Sequence, residues 1–337
     1  MPACAYMKPN LDLLRAVAVL FVLLSHVIRV VDGDRSGVMY LFGQLGVMLF
    51  FVHTSLVLMQ SMERQHLEGA TLFKQFYVQR IFRIYPLSIV FVLAILVLGT
   101  EHWTPLETFS NLALTQNLTY SRYVSDVMWS LPLEVQMYIA LPFLYLIFRH
   151  RPARWLLGLW VLSIPMALLP PLVSLRLTVL SFVPCFLGGV IAWRMQGNAR
   201  FPAWLWPILL AICSLAFVKF AEPRHDMYGR WIVCLALGLI IPRMRELRAR
   251  GLNFTSKTIA KYSYGIYLFH YPLLDLAFKT LSGRPPALQW TVFVGLLLAL
   301  PFAGYHLIEH PMIKLGHAWR QKVRPAAAPP AAQAGNR

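Results

Sequence analysis

The chain has 337 residues, of which 58% are hydrophobic and only 13% charged, with a mean hydropathy of +0.58. That composition excludes an ordinary soluble domain and implies an integral membrane protein. Thirty-one Lys and Arg against 14 Asp and Glu give a net charge of +17, but the basic residues recur in alternate loops and form no single aromatic-laced patch, so nucleic acid is not the expected partner.

The apolar blocks are about as long as an α-helix needs to cross a hydrocarbon core, and no strand-length alternating segments occur. The expected fold is all-α and polytopic, with ten spans near 11–31, 38–60, 84–99, 132–148, 155–170, 176–194, 204–220, 229–242, 262–279 and 290–308. With the N-terminus inside, the cytoplasmic side holds twenty-one Lys and Arg against nine outside, which predicts an N-in, C-in topology. The lipid bilayer is one partner, and the inner-face charge would attract anionic headgroups or a phosphate-bearing substrate. Residues 1–318 would form one transmembrane domain, and residues 319–337, ending in "RPAAAPPAAQAGNR", a disordered cytoplasmic tail.

The first span, "LDLLRAVAVLFVLLSHV", carries Asp12, Arg15 and His26. Its apolar run is too long for a signal peptide, so it is expected to remain in the mature chain. Eleven helical steps bring Arg15 and His26 back to nearly one face, about 16 Å apart along the axis, with Asp12 three residues before Arg15. Ionisable groups aligned inside a membrane read as functional, with His26 the reactive end and Asp12 holding Arg15 in place. His53, in "FFVHTSL", reads as a buried packing histidine.

Before the third span, "FYVQRIFRIYP" puts Arg80 and Arg83 one turn apart, ahead of Pro86 as a helix-starting residue. Two guanidinium groups on one face suit a polyphosphate ligand. The loop 100–131, with Trp103, Asn111, Asn117, Tyr120 and Tyr123, offers aromatics and amides of the kind that bind sugars. It leads into "DVMWSLPLEVQMY", where Glu134 sits just inside a span behind Trp129, Ser130 and Pro132. A carboxylate there is costly unless paired or poised to titrate, which makes Glu134 a candidate general base or histidine-orienting group.

Further on, "YSYGIYLFHYPLL" sets His270 among aromatics, and "HLIEHPMIKLG" puts Glu309 at a helix end, as a clasp to inner-face arginines. Cys4, Cys185, Cys213 and Cys234 show no metal-ligand spacing and read as packing residues, so no metal is expected. Walker, GxSxG and HExxH motifs are absent.

Taken together, these stretches resemble the membrane-bound acyltransferase 3 family over nearly the whole chain. The family's arginine and histidine in the first span fall on Arg15 and His26, and its paired arginines on Arg80 and Arg83. Its "WSLxxE" falls on Trp129, Ser130, Leu131 and Glu134, its "YxxHxP" on Tyr267, His270 and Pro272, and its acidic-x-proline on Glu309 and Pro311. Two stretches depart: "FFVLSGFL" becomes "FFVHTSLVL", and "WSLSVEEQFY" becomes "WSLPLEVQMY", which leaves Glu134 as that motif's only carboxylate.

The resemblance implies an acyltransferase of a bacterial inner membrane, transferring groups other than aminoacyl groups. Acyl-CoA, acetyl-CoA in the simplest case, would be the co-substrate, with no bound cofactor. The acceptor would be a hydroxyl of a cell-surface glycan or lipid-linked sugar. Arg15, Arg80 and Arg83 would bind the donor; His26, with Glu134 orienting it or holding its charge, would act as base or acyl relay. Asp12, Trp129, Ser130, Tyr267, His270 and Glu309 would support them. The geometry predicts a funnel open to the cytoplasm and narrowing towards His26. The competing class is a proton-coupled transporter of an anionic metabolite, which also uses intramembrane Arg, His and Glu but commonly shows an inverted repeat, absent here.

Overall fold

The computed structural model describes residues 8–33, 37–66, 68–99, 101–197, 199–220 and 227–323. Cys4, Arg35, Arg224 and the tail after Val323 lie outside them. The described chain is helical, without strands; its one β-bridge pairs Phe201 with Met244.

Fourteen α-helices follow in order: α1 Pro9–Val31, α2 Val38–Gln65, α3 Gly69–Leu98, α4 Pro105–Ala113, α5 Gln116–Thr119, α6 Ser130–Phe148, α7 Arg154–Ala167, α8 Pro170–Val173, α9 Val179–Arg194, α10 Leu205–Phe220, α11 Met227–Ile240, α12 Arg250–Leu274, α13 Pro286–Gly304 and α14 His310–Val323. Seven segments are long and apolar enough to cross a membrane: Pro9–Val31, Val38–Gln65, Gly69–Leu98, Asp126–Phe148, Arg154–Val173, Leu175–Arg194 and Pro286–Trp319. Leu205–Phe220 is a shorter apolar helix. The two remaining expected spans are helices that fall short of that standard. α11 has 14 residues. α12 is long enough but carries Arg250, Lys257, Lys261 and a row of Ser and Tyr, because its polar face lines cavities and not lipid.

Two other expectations shift. α3 begins at Gly69, well before residue 84, so Pro86 lies inside the helix and does not start it. The polar run before residue 84 faces the protein interior: Gln75 is buried, and Arg80 and Arg83 line a cavity. A proline inside a membrane helix forfeits one backbone hydrogen bond, which its surroundings can offset. At the other end, α14 runs to Val323, so residues 319–323 are helical where a disordered tail was expected.

α1, α2, α9 and α12 form the centre of the bundle. α1 and α2 approach closely because Gly46 has no side chain; a Cβ there would stand 2.6 Å from the Ala18 carbonyl oxygen. At its start α1 is pinned by Asn10, whose Nδ2 donates to the Arg245 carbonyl at 3.0 Å and whose Oδ1 accepts from the Leu247 amide at 3.1 Å. α13 passes into α14 through a π-helical turn at Tyr305–Glu309. That wide turn accommodates Pro311, whose ring would otherwise press on the carbonyl four residues back, and it sets the direction of the Glu309 side chain.

Candidate active site: three cavities in line

The polar face of α1 runs along three adjoining cavities. The first, about 410 Å³, opens at the Lys8 end; the second, about 100 Å³, lies at mid-bundle; the third, about 450 Å³, surrounds His26. Arg15, His53, Val57 and Arg83 border both the first and second, and Val47 and Tyr267 both the second and third. The space along the axis is thus widest at its two ends and tightest in the middle, not a funnel that narrows steadily towards His26.

The Lys8-side cavity is strongly basic. Lys8, Arg64, Lys257 and Lys261 join Arg15 and Arg83 around it, faced by the carboxylates of Asp12 and Glu309. Burial holds the Lys8 ammonium below its usual value, the Arg64 charge lowers it further, and Glu246 opposes both. Four of these cations read from sequence only as topological charge. Their convergence is a tertiary fact, signalled weakly by the i,i+4 spacing of Lys257 and Lys261.

In the narrow cavity Arg15, Arg80 and Arg83 meet Glu134. Arg15 is held by α12: its Nε donates to Ser263 Oγ at 2.6 Å. Asp12 lies near enough to act electrostatically on Arg15 and Lys257, but the hydrogen bond that fixes Arg15 is not the expected one from Asp12. Arg83 pairs with Glu309, the clasp looked for at that helix end. Glu134 accepts from Tyr138 one turn along α6.

A partition separates this cavity from the third. Tyr267 Oη donates to the Val127 carbonyl at 2.7 Å, so Ser130 Oγ, also 2.7 Å away, must donate to Tyr267. Trp129 lies on the far side, its ring 5.6 Å from that of Phe182. Glu134, four residues beyond Ser130, is one helical turn back towards the arginines. No hydrogen bond joins it to His26 among the described residues, which corrects the expectation that Glu134 orients His26.

That position belongs to His270. His26 Nδ1 and His270 Nε2 are 2.9 Å apart, with the rings nearly parallel and Tyr271 edge-on to His26. His270 is buried, and its Nδ1 faces the carbonyls of Tyr267 at 2.8 Å and Ile266 at 3.0 Å. Two carbonyls require a proton on that nitrogen. In the neutral ring Nε2 is then an acceptor, so His26 Nδ1 must be the donor. The chain of bonds leaves His26 Nε2 with a free lone pair, the atom that takes a proton or attacks a carbonyl.

The remaining polar groups around His26 include two that lack partners: Ser25 Oγ, on a residue 1% exposed, and Gln44 Oε1. Neither was singled out in the sequence. The loop 100–131 contributes only Asp126, Val127 and Trp129 to this cavity. Asn111 makes four hydrogen bonds within the loop region, and Trp103 lies under the Arg122 guanidinium at 4.6 Å. The sugar-binding reading of Trp103 and Asn111 is therefore not supported by their placement.

A family model described as an acyltransferase domain, that of acyltransferase 3, matches residues 8–306. No curated protein and no solved structure matches the chain.

Proposed function

The chain belongs to the acyltransferase 3 family, and from that premise we propose that it moves an acyl group, acetyl in the simplest case, from cytoplasmic acyl-CoA to a hydroxyl of a glycan or lipid-linked sugar at the outer face of a bacterial inner membrane. Ten crossings, with both termini inside, belong to the same proposal. The observation that carries it is the His26–His270 hydrogen bond at the far end of an arginine-lined passage.

The donor's phosphates sit in the Lys8-side cavity, where guanidinium and ammonium groups outnumber carboxylates. The pantetheine arm threads past Arg15 and Arg83, and the thioester reaches His26 beyond the Ser130–Tyr267 partition. As a base, His26 Nε2 takes the acceptor's hydroxyl proton; the oxygen attacks the thioester carbonyl, and the CoA thiolate leaves and takes that proton from the imidazolium. As a relay, Nε2 attacks the thioester and CoA leaves as the thiolate; the acceptor hydroxyl then attacks the acyl-imidazolium, neutral His26 is restored, and the hydroxyl proton goes to the thiolate. On either route His270 holds the Nδ1–H and fixes which nitrogen reacts. Glu134 and Glu309 offset two of the three arginine charges.

The test is to incubate purified full-length protein with acetyl-CoA and an extract of cell-surface glycans. Release of free thiol with acylated glycan in the mass spectrum is expected. Vesicles that take up an anionic metabolite on a proton gradient, with no thiol released from any acyl-CoA, would replace this reading with transport.

A further inference from the structure

Between the Lys8-side cavity and the narrow cavity, His53 carries an unmatched polar atom. It is 6% exposed and borders both the narrow cavity and the Lys8-side cavity, so it stands at the neck between them. Its Nδ1 is buried and has no hydrogen-bond partner. A buried polar nitrogen left unpaired is costly and calls for a partner. None of its neighbours bonds to it. Ser55, two residues on, turns its hydroxyl back to the Phe51 and Val52 carbonyls at 2.7 and 3.2 Å. Across the neck Arg15 is bonded to Ser263 and Arg83 to Glu309.

The charge at the neck narrows what Nδ1 can meet. A cationic ligand group is repelled by Arg15 and Arg83, and an anionic one is drawn to the guanidinium groups in preference to a neutral imidazole. A neutral carbonyl fits. If phosphates occupy the basic cavity and the thioester lies beyond the partition, the part of the donor crossing the neck is its amide-bearing arm. We propose that His53 is a donor-binding residue whose Nδ1–H donates to an amide carbonyl of the pantetheine arm. This rests on the acyl-CoA reading above.

Equilibrium binding to the purified full chain separates the two ideas. The probes are acetyl-CoA and the nucleotide portion of CoA, which keeps the phosphates and lacks the arm. His53→Leu is expected to weaken acetyl-CoA binding about tenfold, one lost hydrogen bond, while the nucleotide portion binds as to wild type. His53→Gln, whose amide N–H can donate, recovers most of the loss. Should His53→Leu not fold, His53→Met set against His53→Gln makes the same comparison. Equal weakening of both probes, unchanged acetyl-CoA affinity, or a loss that His53→Gln does not recover overturns the assignment. A wild-type protein that binds neither probe overturns the acyl-CoA reading itself, and the assignment with it.

Discussion

The loop 100–131 and the cavity around His26 are neighbours that share Asp126, Val127 and Trp129, yet they place their polar groups differently: the loop's own unpartnered atoms, Gln116 Oε1 and Ser125 Oγ, border none of the three cavities. In the loop, Asn111 is fully buried and its amide is saturated. Nδ2 donates to the Glu107 and Arg122 carbonyls at 2.8 Å each, and Oδ1 accepts from Gln116 Nε2 at 2.9 Å and the Val124 amide at 3.1 Å. Asn117 is tied to Gln136, whose Nε2 donates to its Oδ1 at 2.8 Å. In the cavity Ser25 Oγ and Gln44 Oε1 have no partner, and His26 keeps a lone pair. Polar residues that complete one another build a scaffold. Polar residues left incomplete beside open space await a ligand.

The largest test of that contrast lies at His26. His26→Ala is expected to lower the acylation rate about 10³-fold with the protein still folded, as loss of a general base or nucleophile does. His270→Leu removes the acceptor for Nδ1–H and is expected to cost less, about 10²-fold. His270→Gln, whose amide oxygen can take the same hydrogen bond, should recover part of that. Rates read as thiol release would refute the pairing if His270→Leu were indistinguishable from wild type.

Next in size is a matched pair of apolar substitutions. Gln44→Leu, in the cavity, is expected to cut acylation of surface glycan about tenfold by mass spectrometry, at unchanged abundance. Asn111→Leu, in the loop, strips partners from buried carbonyls and is expected to destabilise the protein by about 3 kcal/mol, with normal specific activity in what remains folded. If the two swapped phenotypes, the division between scaffold and site would be wrong.

Much of this was legible from residue order. Apolar blocks announced helices, and each expected span coincides with one; the eleven-step spacing put Arg15 and His26 on one face of α1, and both line the passage. Depth along the axis was less legible. Ser130 and Glu134 are four residues apart, and that single turn decides that one seals the partition while the other faces the arginines. The identity of His26's partner depended on where α12 packs against α1, a tertiary fact with no local signature. The span expected at 262–279 caught only the second half of α12, because Lys257, Lys261 and Ser263, which border the cavities, lower the hydropathy of its first half. The beginning of α3 was obscured in the same way by Gln75, Arg80 and Arg83.

The smallest expected effect concerns pH and belongs to the loop alone. Glu107 accepts from Arg122 Nε at 2.7 Å and from the Thr104 amide and hydroxyl at 2.9 Å each, the reciprocal cap of α4. The Arg122 hydrogen bond, then those from Thr104, hold its carboxyl down at about 2, against an ordinary value of 4.5. A carboxylate depressed in the folded state stabilises it above the ordinary value, and that contribution is lost as pH falls towards the depressed one. Hydrogen exchange in residues 104–124, corrected for intrinsic rates, should therefore accelerate as pH falls from about 4.5 towards 2, ahead of any change in α6. Salt should weaken the effect, because the group is exposed to solvent and its ion pair is screened. Glu107→Gln should exchange faster at neutral pH and lose the acid dependence. Identical profiles for the two proteins would show that the cap and the Arg122 pair do not hold the loop, and would leave Asn111 as its main fastening.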